Sequence, residues 1–323
     1  MDLPQYDDVL EASKRIAPFA VRTPLLTAPR LNQALGGTIL VKSEPLQVTG
    51  SFKFRGACNS IQMLGDDVKT VVAWSSGNHA QAVAYAARTR GVKAIIVMPE
   101  DAPAAKITGT KELGGEVVTY DRYSESREDI GAALAAEHNA AVIPPYDYLP
   151  TIAGQGTIGI EIAQQLDEMG MAADQLICCT GGGGLLAGLS LGLHHHKPDI
   201  KIYGAEPEGF DDFKRSLDKG ERVANDPKNR SICDAIVTAM PGEMTFPINQ
   251  DHVTDGLVVS DDDALDAIAI AYKHLKIIIE PGGAVALAAA LKQKIDITGK
   301  TTVVVASGGN VDKQMFDRAL ARL

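Results

Sequence analysis

The chain has 323 residues, 45% of them hydrophobic, which is too long and too apolar for a disordered tail or a disulfide-stapled miniature domain. Its 41 Asp and Glu outweigh 31 Lys and Arg, and the formal charge of −10 repels phosphate backbones and anionic headgroups, so nucleic-acid and membrane-surface roles are disfavoured. No basic, apolar leader opens the sequence and no apolar run reaches membrane-spanning length, so a cytoplasmic protein is expected.

Along the chain, two strands are predicted near Leu25 and at 39–42, followed by a helix after Gly50. From Thr70 onward, short Val/Ile/Ala runs alternate with stretches of helical period. The runs are solidly apolar, as in parallel strands covered on both faces. Strands are predicted at 70–74, 94–98, 116–120 and 141–143, with helices around 78–90, 103–114 and 124–138. A second series has a helix near 151, a strand at 175–179, a helix from 183, and strands at 201–205 and 301–306. This pattern predicts an α/β protein of two lobes with a cleft between them: residues 1–69 and 148–323 form the large lobe and 70–147 the small one. Cys58, Cys178, Cys179 and Cys233 have no paired metal spacing and read as buried free thiols.

Glycine gathers where strands end. The densest case is Thr180-Gly181-Gly182-Gly183-Gly184-Leu185, a strand, a turn and then a helix, where converging N–H groups and the positive end of a helix suit a phosphate. A flexible turn is the plainer alternative. Gly182 to Ala187 also satisfies the loose dinucleotide fingerprint, with Glu206 at the spacing of a ribose-binding acid, which makes a nicotinamide oxidoreductase the competing enzyme class. A ligand sensor without catalysis is a third possibility.

Lys53 lies between Phe52 and Phe54 just inside a predicted helix start, where burial and the helix dipole both disfavour its charged form. A neutral amine is a nucleophile and suits Schiff-base chemistry with an aldehyde; a lysine snorkelling to the surface is the alternative. The strand at 70–74 ends in Ser75-Ser76-Gly77-Asn78-His79, two hydroxyls, a carboxamide and an imidazole at one helix mouth, which suits a carboxylate or a plain helix cap. Ser307 similarly places a neutral hydroxyl at the end of the last strand.

In order and spacing these segments resemble the fold type II pyridoxal-phosphate enzymes, most closely the serine racemase and threonine/serine dehydratase group. The resemblance runs over nearly the whole chain. It is carried by Ser51-Phe52-Lys53-Phe54-Arg55-Gly56-Ala57, the 75–81 loop, Ile152-Ala153-Gly154-Gln155-Gly156-Thr157, Gly181 to Gly184, Glu280-Pro281-Gly282-Gly283-Ala284 and Ser307 to Asp312. It implies a tryptophan synthase β-like fold, two open α/β lobes with pyridoxal 5'-phosphate in the cleft. Phe52, Lys53, Asn78, Gly181, Gly182, Gly183, Gly184, Leu185 and Ser307 are the implied cofactor-binding residues. Lys53 is implied to join the aldehyde and Ser307 to meet the pyridine nitrogen, while Ser75, Ser76, Asn78, His79, Arg127 and Thr238 are implied to face the substrate.

A serine at the pyridine nitrogen favours elimination over transamination. The activity implied is β-elimination of L-threonine or L-serine to a 2-oxo acid and ammonia, with Lys53 removing the α-proton. Serine racemase and 3-hydroxyaspartate ammonia-lyase are the alternatives: Ser76 is compatible with acid/base work on the face opposite Lys53 or with a non-catalytic hydroxyl of a carboxylate-binding loop, and Arg127 matches the position that reaches toward a dicarboxylate or forms an ordinary surface ion pair with Glu128. The segment 205–212 is similar to the divalent-cation segment of the racemase group, with Glu206, Asp212 and the Phe210 carbonyl as oxygen ligands for Mg2+, or else Mn2+ or Ca2+; a solvated acidic turn is the alternative. The family habit implies a homodimer. The chain ends 13 residues after Asn310, so no effector-binding domain is expected at that end. Trp74, Ala235 and Thr238 depart from the common pattern and leave the substrate preference open.

Overall fold

The computed structural model describes residues 2–323 apart from Ser76 and the side chain of Ala105. The strands in chain order are β1 (Leu25–Leu26), β2 (Thr38–Ser43), β3 (Thr70–Trp74), β4 (Lys93–Pro99), β5 (Gly115–Tyr120), β6 (Ala141–Val142), β7 (Gln175–Cys179), β8 (Lys201–Pro207), β9 (Asp255–Val259) and β10 (Thr301–Ala306). The first six α-helices are α1 (Tyr6–Ile16), α2 (Pro29–Leu35), α3 (Lys53–Gln62), α4 (Asn78–Arg90), α5 (Ala104–Glu112) and α6 (Arg127–Glu137). The remaining seven are α7 (Leu149–Glu168), α8 (Gly184–His194), α9 (Asp212–Lys219), α10 (Thr245–His252), α11 (Asp261–Ile270), α12 (Pro281–Leu291) and α13 (Lys313–Leu320).

Two sheets result. The six-stranded sheet runs β1-β2-β10-β7-β8-β9, parallel except where β1 meets β2, and the four-stranded sheet runs β5-β4-β3-β6, parallel throughout. Helices cover both faces, so the strands carry Val and Ile on both sides, as the solid apolar runs require. Cys178 and Cys179 lie inside this core, and all four cysteines are buried and free.

The first 69 residues serve both sheets. Strands β1 and β2 join the larger one, while Phe54, Ala57, Cys58 and Ile61 of α3 pack with Val71, Ala80, Val83 and Ile96 in the core of the smaller one. Helix α3 therefore bridges the two and brings its first residue, Lys53, to the gap between them. Helix α7 crosses back and packs closely on α8, because a side chain at Gly188 would come within 2.7 Å of the Gly156 nitrogen. No described helix is long and apolar enough to cross a membrane.

Candidate active site

A cleft of about 680 Å³ lies between the sheets, walled on one side by Trp74, Ser75, Asn78 and His79 and on the other by Gly181 to Leu185, Thr238 and Ser307. In open α/β folds the crevice at the carboxyl ends of strands collects ligands, and here β3, β7 and β10 all end at it.

Lys53 enters from the start of α3. The strand-like contact of Ser51 with Gly308 and the bond from the Phe52 N–H to the Ser307 carbonyl (3.0 Å) tie this start to the end of β10. Deeper in the same helix Arg55 grips Glu44 and Glu161 through paired bonds of 2.6–2.9 Å, and Lys42 closes the network onto Glu161 at 2.6 Å. Two cations balance two carboxylates there, so the buried charges are compensated. The helix end carrying Lys53 is thus fixed from both sides.

The Lys53 amine donates to the carbonyl oxygen of Pro145 at 2.8 Å, with the Phe52 ring centroid 5.0 Å away. Burial pushes its pKa down to about 8, against the smaller opposing pull of Cys179 and Glu280. It is an enclosed, partly neutral amine and not a surface lysine.

Opposite, β7 runs into the glycine turn. Gly183 adopts φ +87°, and a side chain there would come within 2.8 Å of both Asn249 and Thr245. Only glycine fits that backbone at that distance. Leu185, 5% exposed, follows in the first turn of α8. His79 Nδ1, Thr180 Oγ1 and Thr238 Oγ1 are buried at the cleft wall with no hydrogen-bond partner among the described residues. Buried polar atoms are normally paired, so these positions fit a polar ligand with an anionic group at the turn and an aldehyde at Lys53.

Among the other expected residues, Asn78 opens α4, donating to Glu280 at 2.6 Å and accepting from Asn310 at 2.7 Å. Burial raises the Glu280 carboxyl to about 7. Burial and the nearby Lys53 push His79 down to about 3; the neutral ring meets the Ile143 carbonyl through Nε2 (2.7 Å) and keeps Nδ1 as an acceptor. The Ser75 hydroxyl accepts from the Gly77 N–H at 3.2 Å. Arg127 lines the cleft mouth, paired with Glu128 at 2.8 Å. Ser76 lies outside the described residues.

Glu206 and Asp212 are both fully buried, which excludes the solvated acidic turn. Glu206 caps α9 by accepting from the N–H groups of Phe213 (3.1 Å) and Lys214 (3.0 Å), so it has no route to a ribose. Burial and then the Asp212 charge raise its pKa, and burial raises Asp212 to about 7. Asp212 Oδ2 is buried without a partner among the described residues. Among the described residues no cluster of three or more His, Cys, Asp and Glu side chains could hold a metal ion.

Sequence reasoning passed over Pro145, Tyr146, Asp147, Thr245 and Asn249, which surround the amine and the glycine turn. Their roles come from backbone carbonyls and long-range contacts that leave no motif.

The sequence profile described as "Pyridoxal-phosphate dependent enzyme" matches residues 16–308. The chain belongs to this family of pyridoxal-phosphate dependent enzymes. Within it, the chain is 43% identical over 319 residues to the L-threo-3-hydroxyaspartate ammonia-lyase of Saccharomyces cerevisiae, covering 98% of this chain and 96% of that one. It is 39% identical over 322 residues to the serine racemase of Schizosaccharomyces pombe, covering 99% and 98%. The crystal structure of a threonine deaminase from T.th. superposes with a TM-score of 0.91 at 42% identity, covering 96% of this chain and 99% of that one. Membership in the pyridoxal-phosphate family removes the nicotinamide alternative.

Proposed function

We propose that this pyridoxal-phosphate enzyme converts a β-hydroxy amino acid, L-threonine or L-serine, into a 2-oxo acid and ammonia. The observation that carries this is the enclosed Lys53 amine with its pKa near 8, in the same cleft as the four-glycine turn. When bound, the cofactor supplies an electron sink for the pair left at the substrate α-carbon. Phe52, Lys53, Asn78, Gly181 to Gly184, Leu185 and Ser307 would hold it, with the Ser307 hydroxyl as a neutral partner for its ring. Lys53 Nζ would take the α-proton; the β-hydroxyl, receiving one proton, would leave as water, and the enamine product, after tautomerising to an imine, would take up one water to give the 2-oxo acid and ammonia, so no net water is consumed. The substrate carboxylate would be read by Ser75, Ser76, Asn78 and the start of α4, with the Thr238 hydroxyl as a further donor lining the cleft.

A second substrate is favoured by Arg127 at the cleft mouth: 3-hydroxyaspartate, whose extra carboxylate would displace Glu128. The likeness to the yeast ammonia-lyase supports it. Serine racemisation is the third member of this set, with Ser76 as the second acid/base; Ser76→Ala would then abolish D-serine formation and spare elimination. We also propose that Glu206, Asp212 and the Phe210 carbonyl hold Mg2+, Mn2+ or Ca2+, supported by the unpartnered Asp212 oxygen. A homodimer in the cytoplasm completes the proposal on family resemblance alone. Ammonia and 2-oxo acid release from L-threonine, L-serine and L-threo-3-hydroxyaspartate tests the activity; release from none of them contradicts it.

A further inference from the structure

We propose that Asp147 is a positioning residue for the glycine turn, setting its affinity for the cofactor's phosphate through helix α10. This rests on the reading of Gly181 to Gly184 as the phosphate cradle.

Helix α10 starts without a cap of its own, since Met244 before it has no side-chain oxygen to offer the first N–H groups. Asp147, in the crossing between β6 and α7, supplies the cap from 98 residues away. Its Oδ2 accepts from the Glu243 N–H at 2.8 Å, and its Oδ1 accepts from Met244 at 2.8 Å and Thr245 at 3.3 Å. The negative charge also complements the positive end of the helix dipole.

Helix α10 and Gly242, three residues before it, in turn hold the glycine turn by its carbonyls. The Thr245 hydroxyl donates to the Gly182 carbonyl at 2.6 Å, the Gly242 N–H to the same oxygen at 3.2 Å, and the Asn249 carboxamide to the Gly183 carbonyl at 3.2 Å. In a trans peptide the carbonyl of one residue and the N–H of the next point in opposite directions. Fixing the carbonyls of Gly182 and Gly183 against α10 therefore turns the N–H groups of Gly183 and Gly184 away from α10, on residues that line the cleft. Asp147 holds α10, α10 holds two carbonyls, and the two opposed N–H groups are aimed at the anion. The same crossing segment carries the Pro145 carbonyl that receives Lys53, so one short stretch of chain sets both ends of the cofactor site.

The test uses the full-length chain stripped of cofactor and titrated with pyridoxal phosphate or with pyridoxal, which lacks the phosphate. Binding is followed by the fluorescence of Trp74, the single tryptophan, which lines the cleft. D147A is expected to weaken pyridoxal phosphate binding about three- to thirty-fold, the range a lost helix cap corresponds to, and to leave pyridoxal binding unchanged. D147N, which keeps one accepting oxygen, should fall between D147A and wild type. T245V, which removes the donor to Gly182 and leaves the cap in place, should show the same phosphate-specific loss and decides the matter if D147A does not fold. Equal losses for both ligands, or wild-type affinity in D147A and T245V, overturn the proposal while leaving the cradle intact. A wild type that binds both ligands equally overturns the cradle and this proposal together.

Discussion

The side-chain amine of Lys53 donates to the backbone carbonyl of Pro145 at 2.8 Å, and Gln155 shares that oxygen at 3.3 Å. Lys53 begins the helix that bridges the two sheets, and Pro145 lies on the crossing that returns from the small sheet to the large one. The contact gives the Lys53 nitrogen a fixed position at the junction without giving it a countercharge, so burial decides its ionisation.

If this amine takes the α-proton, Lys53→Ala should lower ammonia release at least about a thousandfold, the upper part of the range for a lost acid/base group. Its melting temperature should stay close to wild type, because no ion pair is broken. Residual activity above a tenth of wild type would exclude Lys53 from the reaction.

The pH dependence follows from the direction of its shift. A lysine whose pKa is pushed down to about 8 is neutral in roughly a tenth of molecules at pH 7, whereas an ordinary lysine is neutral in fewer than about one in a thousand. Acylation of cofactor-free protein by a limiting amine reagent should select Lys53 near neutral pH, with its rate rising to a plateau through a midpoint near 8. A midpoint near the ordinary lysine value, or preferential labelling elsewhere, would show that burial does not govern this amine.

Much of this was legible in the sequence, unevenly and for physical reasons. Strands β3, β7 and β10 stand out as unbroken Val/Ile/Cys runs because both their faces are buried, and their predicted bounds coincide with the observed ones. The edge strand β9 was not anticipated: it opens on Asp255-Gly256 and is covered less completely, so its apolar run is short. Helix α10 was equally silent, since its start signal, Asp147, is remote in sequence. The glycine turn and Lys53 stand out by residue type and the fold brings both to one cleft, but the carbonyl that receives the amine has no side-chain signature. The pairing of Arg55 with both Glu44 and Glu161 likewise required the fold.

That pairing predicts a stability effect. Arg55→Met should destabilise the protein by about 3–5 kcal/mol, because it leaves the buried Glu44 and the largely buried Glu161 without their common partner. Urea unfolding followed by circular dichroism would measure it. A change below about 1 kcal/mol would mean that the network relaxes at little cost.

Gly183→Ala should weaken cofactor binding at least about tenfold, combining left-handed backbone strain with the close approach of Asn249 and Thr245. Equilibrium titration with pyridoxal phosphate checks it, and unchanged affinity would show that the turn can rebuild around a methyl group.

For the proposed cation, a chelator should lower the melting temperature by several degrees and Mg2+ or Mn2+ should restore it, since binding to the native state alone stabilises it. Asp212→Asn should remove the chelator response. A melting temperature indifferent to chelator and cation alike would leave Glu206 as a helix cap and Asp212 as a buried acid.

The most direct test of the whole account is borohydride reduction of the purified, cofactor-loaded protein followed by peptide mass mapping. The predicted result is loss of visible absorbance and one stable pyridoxyl adduct per chain, on Lys53. An unmodified Lys53, with the adduct on another lysine or on none, would contradict the assignment of the reactive amine.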